Sequence, residues 1–143
     1  MTIKVKKVEN QEEWAQVLNL RYRVFVKEQG VPEELERDEK DETAVHVIVK
    51  KDGNISGCGR VVFRDKEAKL GRIAVDKNNR NRGIGTLVCQ KLMKIADNKE
   101  YDKITLHAQL ETVEFYRKFG FRPVGDIFQE AGIEHIKMEY KNK

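Results

Sequence analysis

Residues 72–97, RIAVDKNNRNRGIGTLVCQKLMKIAD, constrain this chain more than any other stretch. An apolar run ends at Val75, a loop rich in Asn and Arg follows, and two glycines pass. Apolar residues then resume at helical spacing, at Ile84, Leu87, Val88, Leu92 and Ile95. The run before the loop, KLGRIAV, predicts a strand, and KITLHAQ beyond the helix predicts another. Strands joined through a helix form a right-handed crossover, so these two lie parallel in one sheet.

The flanking segments complete the sheet. TIKVKKV at the start predicts a strand. Asn10 can cap a helix with Glu13 in the capping-box position, and Trp14, Leu18, Tyr22 and Phe25 form its apolar stripe up to Gly30 and Pro32. AVHVIVKK and ISGCGRVVF flank DGN as an antiparallel hairpin, and the charged turn RDKEA leads into KLGRIAV. ETVEFYRKF predicts a short helix closed by Gly120, and IEHIKMEY alternates as an outer strand would. The order is β-α-βββ-α-β-α-β, with one more short strand near VGDIF. This is an α/β (α+β) fold, with a mixed, mostly antiparallel sheet and helices on both faces. Ligands of such sheets collect at the C-terminal ends of the parallel strands, where the glycine loop lies.

The loop from Asp76 to Thr86 suits an anion. A helix starting near Arg82 or Gly83 points its free N–H groups out of the loop, along with the positive end of its dipole. Glycines at 83 and 85 let a phosphate approach the backbone, and Asn81 tolerates a left-handed turn. Arg80 and Arg82 can add charge-assisted bonds. A P-loop does not fit, because no Lys follows Gly85; nor does a dinucleotide motif, because Val88 stands at the third glycine position. On the glycines alone, a plain helix-start turn and a phosphate site both stand.

Charge narrows the partners. Residues 33–42, EELERDEKDE, hold seven acidic and two basic residues in a chain of net charge +4, so the remainder is strongly basic. A basic body attracts polyanions, and an acidic segment attracts amines; a solvated loop is the bland alternative. No aromatic pair marks an RNA-stacking platform, so no nucleic-acid partner is expected. At 143 residues one domain spanning 1–143 is expected. No apolar run approaches the ~20 residues of a membrane span, so no membrane partner is expected. The N-terminus has no signal-peptide core, and Cys58 and Cys89 lack paired or metal-type spacing. A cytoplasmic protein with reduced core thiols and no metal is the expectation.

LGRIAVDKNNRNRGIGTLV, followed by FYRKFGF at residues 115–121, resembles the GNAT superfamily of acetyl-CoA-dependent N-acetyltransferases. Arg80, Gly83 and Gly85 match its Arg/Gln-x-x-Gly-x-Gly/Ala motif, and the element order matches its fold over nearly the whole chain. Asn81 stands where many members have Gly, and Gln109 where many have Asn. The resemblance implies acetyl-CoA as acyl donor. It puts the pyrophosphate on the N–H groups of Asn81, Arg82, Gly83, Ile84, Gly85 and Thr86. It runs the pantetheine beside Ile73 and Val75, across a central splayed pair of parallel strands. A backbone N–H at Ile73 or Ala74 would polarise the thioester carbonyl, and Tyr116 would protonate the leaving thiolate.

The acceptor implied is a primary amine on a small molecule or peptide. Candidate residues around it are Glu28, Asp38, Asp41, His46 and His107, with no single base chosen. LRYRVFVKEQGVPEELERDEKD resembles the N-terminal stretch of an uncharacterised acetyltransferase subgroup and, loosely, acyl-homoserine-lactone synthases. The latter share Arg23, Val24, Phe25, Glu36, Asp38 and Asp41 but usually carry a tryptophan and a longer chain. A silent acyl-CoA-binding module is the alternative from another class. The strand IEHIKMEY could pair across a homodimer.

Overall fold

The structure is a computed structural model, and it describes residues 2–101 and 103–141. Its strands are β1 (Ile3–Lys7), β2 (Val45–Lys51), β3 (Asn54–Arg64), β4 (Glu67–Val75), β5 (Lys103–Gln109), β6 (Arg122–Glu130) and β7 (Ile133–Lys141). Its helices are α1 (Gln11–Arg21), α2 (Glu33–Glu36), α3 (Ile84–Asn98) and α4 (Val113–Arg117). One seven-stranded sheet runs β1-β2-β3-β4-β5-β7-β6. Only β4 and β5 are parallel, paired from Glu67–Lys103 to Leu70–Leu106. The mixed, mostly antiparallel sheet expected from the sequence is the one observed.

Period-two alternation sorts the strands between two cores. Val47, Val49, Val61, Leu70 and Leu106 face α3, which buries Ile84, Val88 and Leu92 against them, and α4 joins on that side. Ile48, Cys58 and Ala74 face the other way, onto Val17, Leu20 and Val24 of the first helical segment. Helices thus cover both faces. Two glycines let α3 close on β3: a Cβ at Gly57 would lie 2.6 Å from Ile84 Cγ2, and one at Gly59 2.7 Å from Val88 Cγ1.

Three local expectations are corrected. The buried face of the first helix is Val17, Leu20 and Val24, while Tyr22 is 39% exposed. The helix is rotated because Arg21, 1% exposed, is drawn inward by Glu36 and Asp41; of the expected stripe, Trp14 and Phe25 still pack half-buried against this core, Trp14 also over His46 at 4.6 Å between ring centres. From Tyr22 to Glu28 the helix widens to π geometry, with Gln29 N–H donating to Val24 O at 3.1 Å. The cap is half a box: Asn10 Oδ1 accepts from Glu13 N–H, but the Glu13 carboxylate accepts from Glu9 N–H, one residue early. Finally, β7 is internal, bonded to β5 and β6, and β6 is the edge. The backbone of IEHIKMEY is already paired on both sides and has no free edge to offer a second copy.

Candidate active site

The parallel pair comes apart at its C-terminal end. Pairing stops at Leu70–Leu106, yet β4 continues to Val75 and β5 to Gln109. Between Gly71 and Val75 the side of β4 that faces β5 therefore has no strand partner. A bulge drives the separation: Arg60 pairs with Gly71 and Cys58 with Ala74, so β4 holds one residue more than β3. Arg72 sits in that bulge at φ +52, a left-handed conformation uncommon for a residue of its size. Its guanidinium is pinned there, Nε donating to Glu36 O at 2.8 Å and Nη2 to Asp38 Oδ2 at 3.4 Å.

Beyond β4 the glycine loop turns into α3. Asn81 (φ +63) and Gly83 (φ +82) are both left-handed, and Gly83 caps α3 with no side-chain hydrogen bond to its first turn. The first intrahelical bond runs from Leu87 N–H to Gly83 O at 3.1 Å, so the N–H groups before it have no helical partner. A Cβ at Gly83 would meet nothing within 4 Å, whereas one at Gly85 would touch Phe115 Cζ at 3.4 Å and Val75 Cγ2 at 3.6 Å. Gly83 thus leaves the helix start open, and Gly85 lets α4 pack against it. Arg80 braces the loop, donating to Val75 O at 3.1 Å and to Glu28 Oε2 and Oε1 at 2.5 and 2.8 Å. Arg82 is exposed. An unpaired strand edge followed by an uncapped helix start fits a chain of amides ending in a pyrophosphate, as coenzyme A is.

A cavity of about 1450 Å³ opens over the splay, lined by Gly71, Ile73, Ala108, Gln109 and Tyr116 among others. Its lining stops at Ile73 on β4, short of the glycine loop. Tyr116, half-buried on α4, packs edge-on against Phe115 at 5.0 Å, and burial pushes its phenol pKa up. Gln109 Nε2 donates to Gln29 Oε1 at 2.8 Å, tying the end of β5 to the end of the π segment.

The five acceptor-side candidates separate. His107 lines the cavity, its Nδ1 2.8 Å from Glu130 Oε1. The His107 hydrogen bond holds the Glu130 carboxyl at about 2, below the usual 4.5. A carboxylate only accepts, so Nδ1 is the donor, and in the neutral ring Nε2 carries the lone pair. Asp38 also lines the cavity but is bound by Arg60 at 2.8 and 3.1 Å. Asp41 faces Arg21 and Arg60, at 2.9 and 2.7 Å. Burial works to raise its pKa, but the two arginines prevail and hold it at about 2. His46 lies in a small separate cleft, its Nε2 2.9 Å from Asp41 O, and burial lowers its pKa. Glu28 is spent on Arg80.

The sequence reading did not anticipate Arg21, Arg60, Arg72 or Glu130. Arg60 left a trace, as a lone charge inside the apolar run GCGRVVF. The three arginines neutralise Glu36, Asp38 and Asp41, so the innermost carboxylates of the acidic segment are not free for an amine.

Residues 5–142 match the model of the acetyltransferase (GNAT) domain. An uncharacterised N-acetyltransferase of Bacillus subtilis, YjcF, is 37% identical over 130 residues, 90% of this chain and 93% of that protein. The crystal structure of Escherichia coli ElaA superposes with a TM-score of 0.88 at 25% identity, covering 98% of this chain and 100% of that one. A GNAT family acetyltransferase from Elizabethkingia anophelis, solved with acetyl-CoA bound, shares the fold at a TM-score of 0.74, 19% identity and 97% coverage of each chain.

Proposed function

The chain belongs to the GNAT acetyltransferase family, and from that premise we propose that it transfers the acetyl group of acetyl-CoA to a primary amine by direct attack, with both substrates bound. The observation that carries this reading is the unpaired edge of β4 followed, along the chain, by the uncapped start of α3. When bound, acetyl-CoA supplies a thioester whose carbonyl is open to an amine.

The chain's residues hold and polarise. The N–H groups of residues 81–86 receive the pyrophosphate, with Arg82 beside them; Arg80, through Glu28 and Val75 O, fixes the loop. Main-chain groups of Ile73 and Val75 pair with the pantetheine amides. An N–H of the bulged segment, at Ile73 or Ala74, donates to the thioester oxygen and stabilises charge developing there.

Proton handling falls to Tyr116 and His107. A lysine-like amine of pKa ~10.4 is free base only about once in a thousand molecules at pH 7.4, a cost of ~4 kcal/mol. His107 Nε2, with Glu130 behind the ring, can accept that proton directly or through water. Tyr116, kept protonated by burial, donates a hydrogen bond to the departing sulfur. Cys58 and Cys89 are buried, with thiols pushed up to about 12, which supports direct transfer over an acyl-cysteine route.

Incubation with acetyl-CoA and a panel of primary amines tests the reading. Free thiol should appear in step with acetylated amine for at least one member. Tight acetyl-CoA binding without amine-dependent thiol across the panel would contradict catalysis and favour a silent binding module.

A further inference from the structure

The cavity is lined by many charged side chains. Nine Lys and Arg side chains line it against six Asp and Glu. Four of those carboxylates already have partners: Glu36 with Arg21, Asp38 with Arg60, Glu67 with the Thr105 hydroxyl, and Glu130 with His107. Asp65 and Glu100 sit on turns at the rim. The cations are paired as well: Arg60 and Arg72 are held by Asp38, Asp41 and Glu36, and Lys103 and Lys137 by Glu139, while Lys40, Arg64, Lys66 and Lys99 are exposed at the rim, which leaves Lys69 as the cation inside without a partner among the described residues.

The placement of Lys69 is what singles it out. It lies on β4 between Val62 of β3 and Thr105 of β5, pointing from the cavity face of the sheet. It is half-buried and has no hydrogen-bonded or ion-paired partner among the described residues. Glu130 is the charged group that acts on it most strongly, as an opposite charge, and Lys40, Arg60 and Arg72 act on it as like charges. A half-buried ammonium without a partner is costly, and burial lowers its pKa. Lys69 precedes Gly71 by two residues, so along the strand it is about 7 Å from the start of the splay.

We propose that the acceptor carries an anionic group as well as its amine, and that Lys69 binds that group on the cavity floor. The anion is a carboxylate or phosphate within about 10 Å of the nitrogen, since strand spacing sets the distance between Lys69 and the splay. A plain cationic amine gains nothing from Lys69; a zwitterion is held by it and oriented, with its amine toward the thioester. This inference rests on the acetyl-transfer reading and names its acceptor class.

Calorimetry with four probes tests it: β-alanine against β-alaninamide, and O-phosphoethanolamine against ethanolamine. Each is titrated into the protein with and without coenzyme A, for wild type, Lys69→Gln, Lys69→Arg and the distant control Lys7→Gln. The wild type should bind the anion-bearing member of at least one pair about 10- to 100-fold more tightly than its counterpart without the anion. Which pair responds distinguishes carboxylate from phosphate. Lys69→Gln should abolish the preference, while Lys69→Arg and Lys7→Gln keep it, and affinity for coenzyme A should be the same in all four proteins. Equal or tighter binding of the members without the anion, a preference that survives Lys69→Gln, or no binding of any probe would overturn the anion site. Failure of coenzyme A itself to bind would count against the acetyl-transfer reading instead.

Discussion

At the scale of single residues, Tyr116 and Asp41 make separable predictions. A half-buried phenol whose pKa burial raises is a weaker acid than a thiol of pKa ~8.5, so full proton transfer to a thiolate is uphill and the role proposed for Tyr116 is mainly that of a hydrogen-bond donor. Tyr116→Phe should slow turnover by roughly 10- to 100-fold and barely change affinity for acetyl-CoA, as steady-state kinetics beside calorimetry would measure. Full activity in that variant would remove the hydroxyl from the reaction. Asp41 works on stability. Its folded pKa of about 2 lies below the usual 3.8, so its contribution is complete above the unfolded value and is lost as pH falls through about 2. Asp41→Asn leaves Arg21 and Arg60 short of a buried partner and should cost about 3–5 kcal/mol near neutrality. Thermal melts should show the gap between wild type and variant narrowing from pH 4 to pH 2. A gap constant over that range would mean the carboxylate charge is not what matters there.

At the scale of elements, the close approach of α3 to β3 rests on two missing side chains. Gly57→Ala and Gly59→Ala each drive a methyl into branched side chains of α3, and each should cost about 1–3 kcal/mol in a denaturant titration. Unchanged stability would mean that the helix shifts freely. The elements that could be read from the sequence were those with strong local signals. Asp52 and Gly53, both at positive φ, make the hairpin turn, and the stripe from Ile84 to Ile95 faces the sheet. The first helix was misread by part of a turn, because the position of Arg21 is set by Glu36 and Asp41, 15 and 20 residues away. β7 was read as an edge because alternation reports faces and is silent about neighbours; its flanks were decided by β6.

At the scale of the whole molecule, the proposed cofactor track and the proposed acceptor cavity differ in how far the sequence points to them. The track lies within one run from Gly71 to Thr86, where an apolar strand, left-handed positions and a helix start announce themselves in order. The cavity is assembled from α2, β3, β4, β5, α4 and the β6–β7 hairpin, so its ion pairs leave no local spacing to read. The acidic segment suggested a cationic acceptor, whereas in three dimensions its inner carboxylates hold arginines and the free charge is that of Lys69. Membership of the family fixes the broad chemistry, and the track is what ties that chemistry to particular atoms. Its most direct test is a calorimetric titration of acetyl-CoA into the wild type and Gly83→Glu. At φ +82 a glutamate strains the turn and puts a carboxylate where the pyrophosphate would lie. Low-micromolar binding to the wild type, lost in a variant that still melts cooperatively, is the predicted result. Equal binding by both proteins, or none by the wild type, would contradict the placement of the cofactor on this loop.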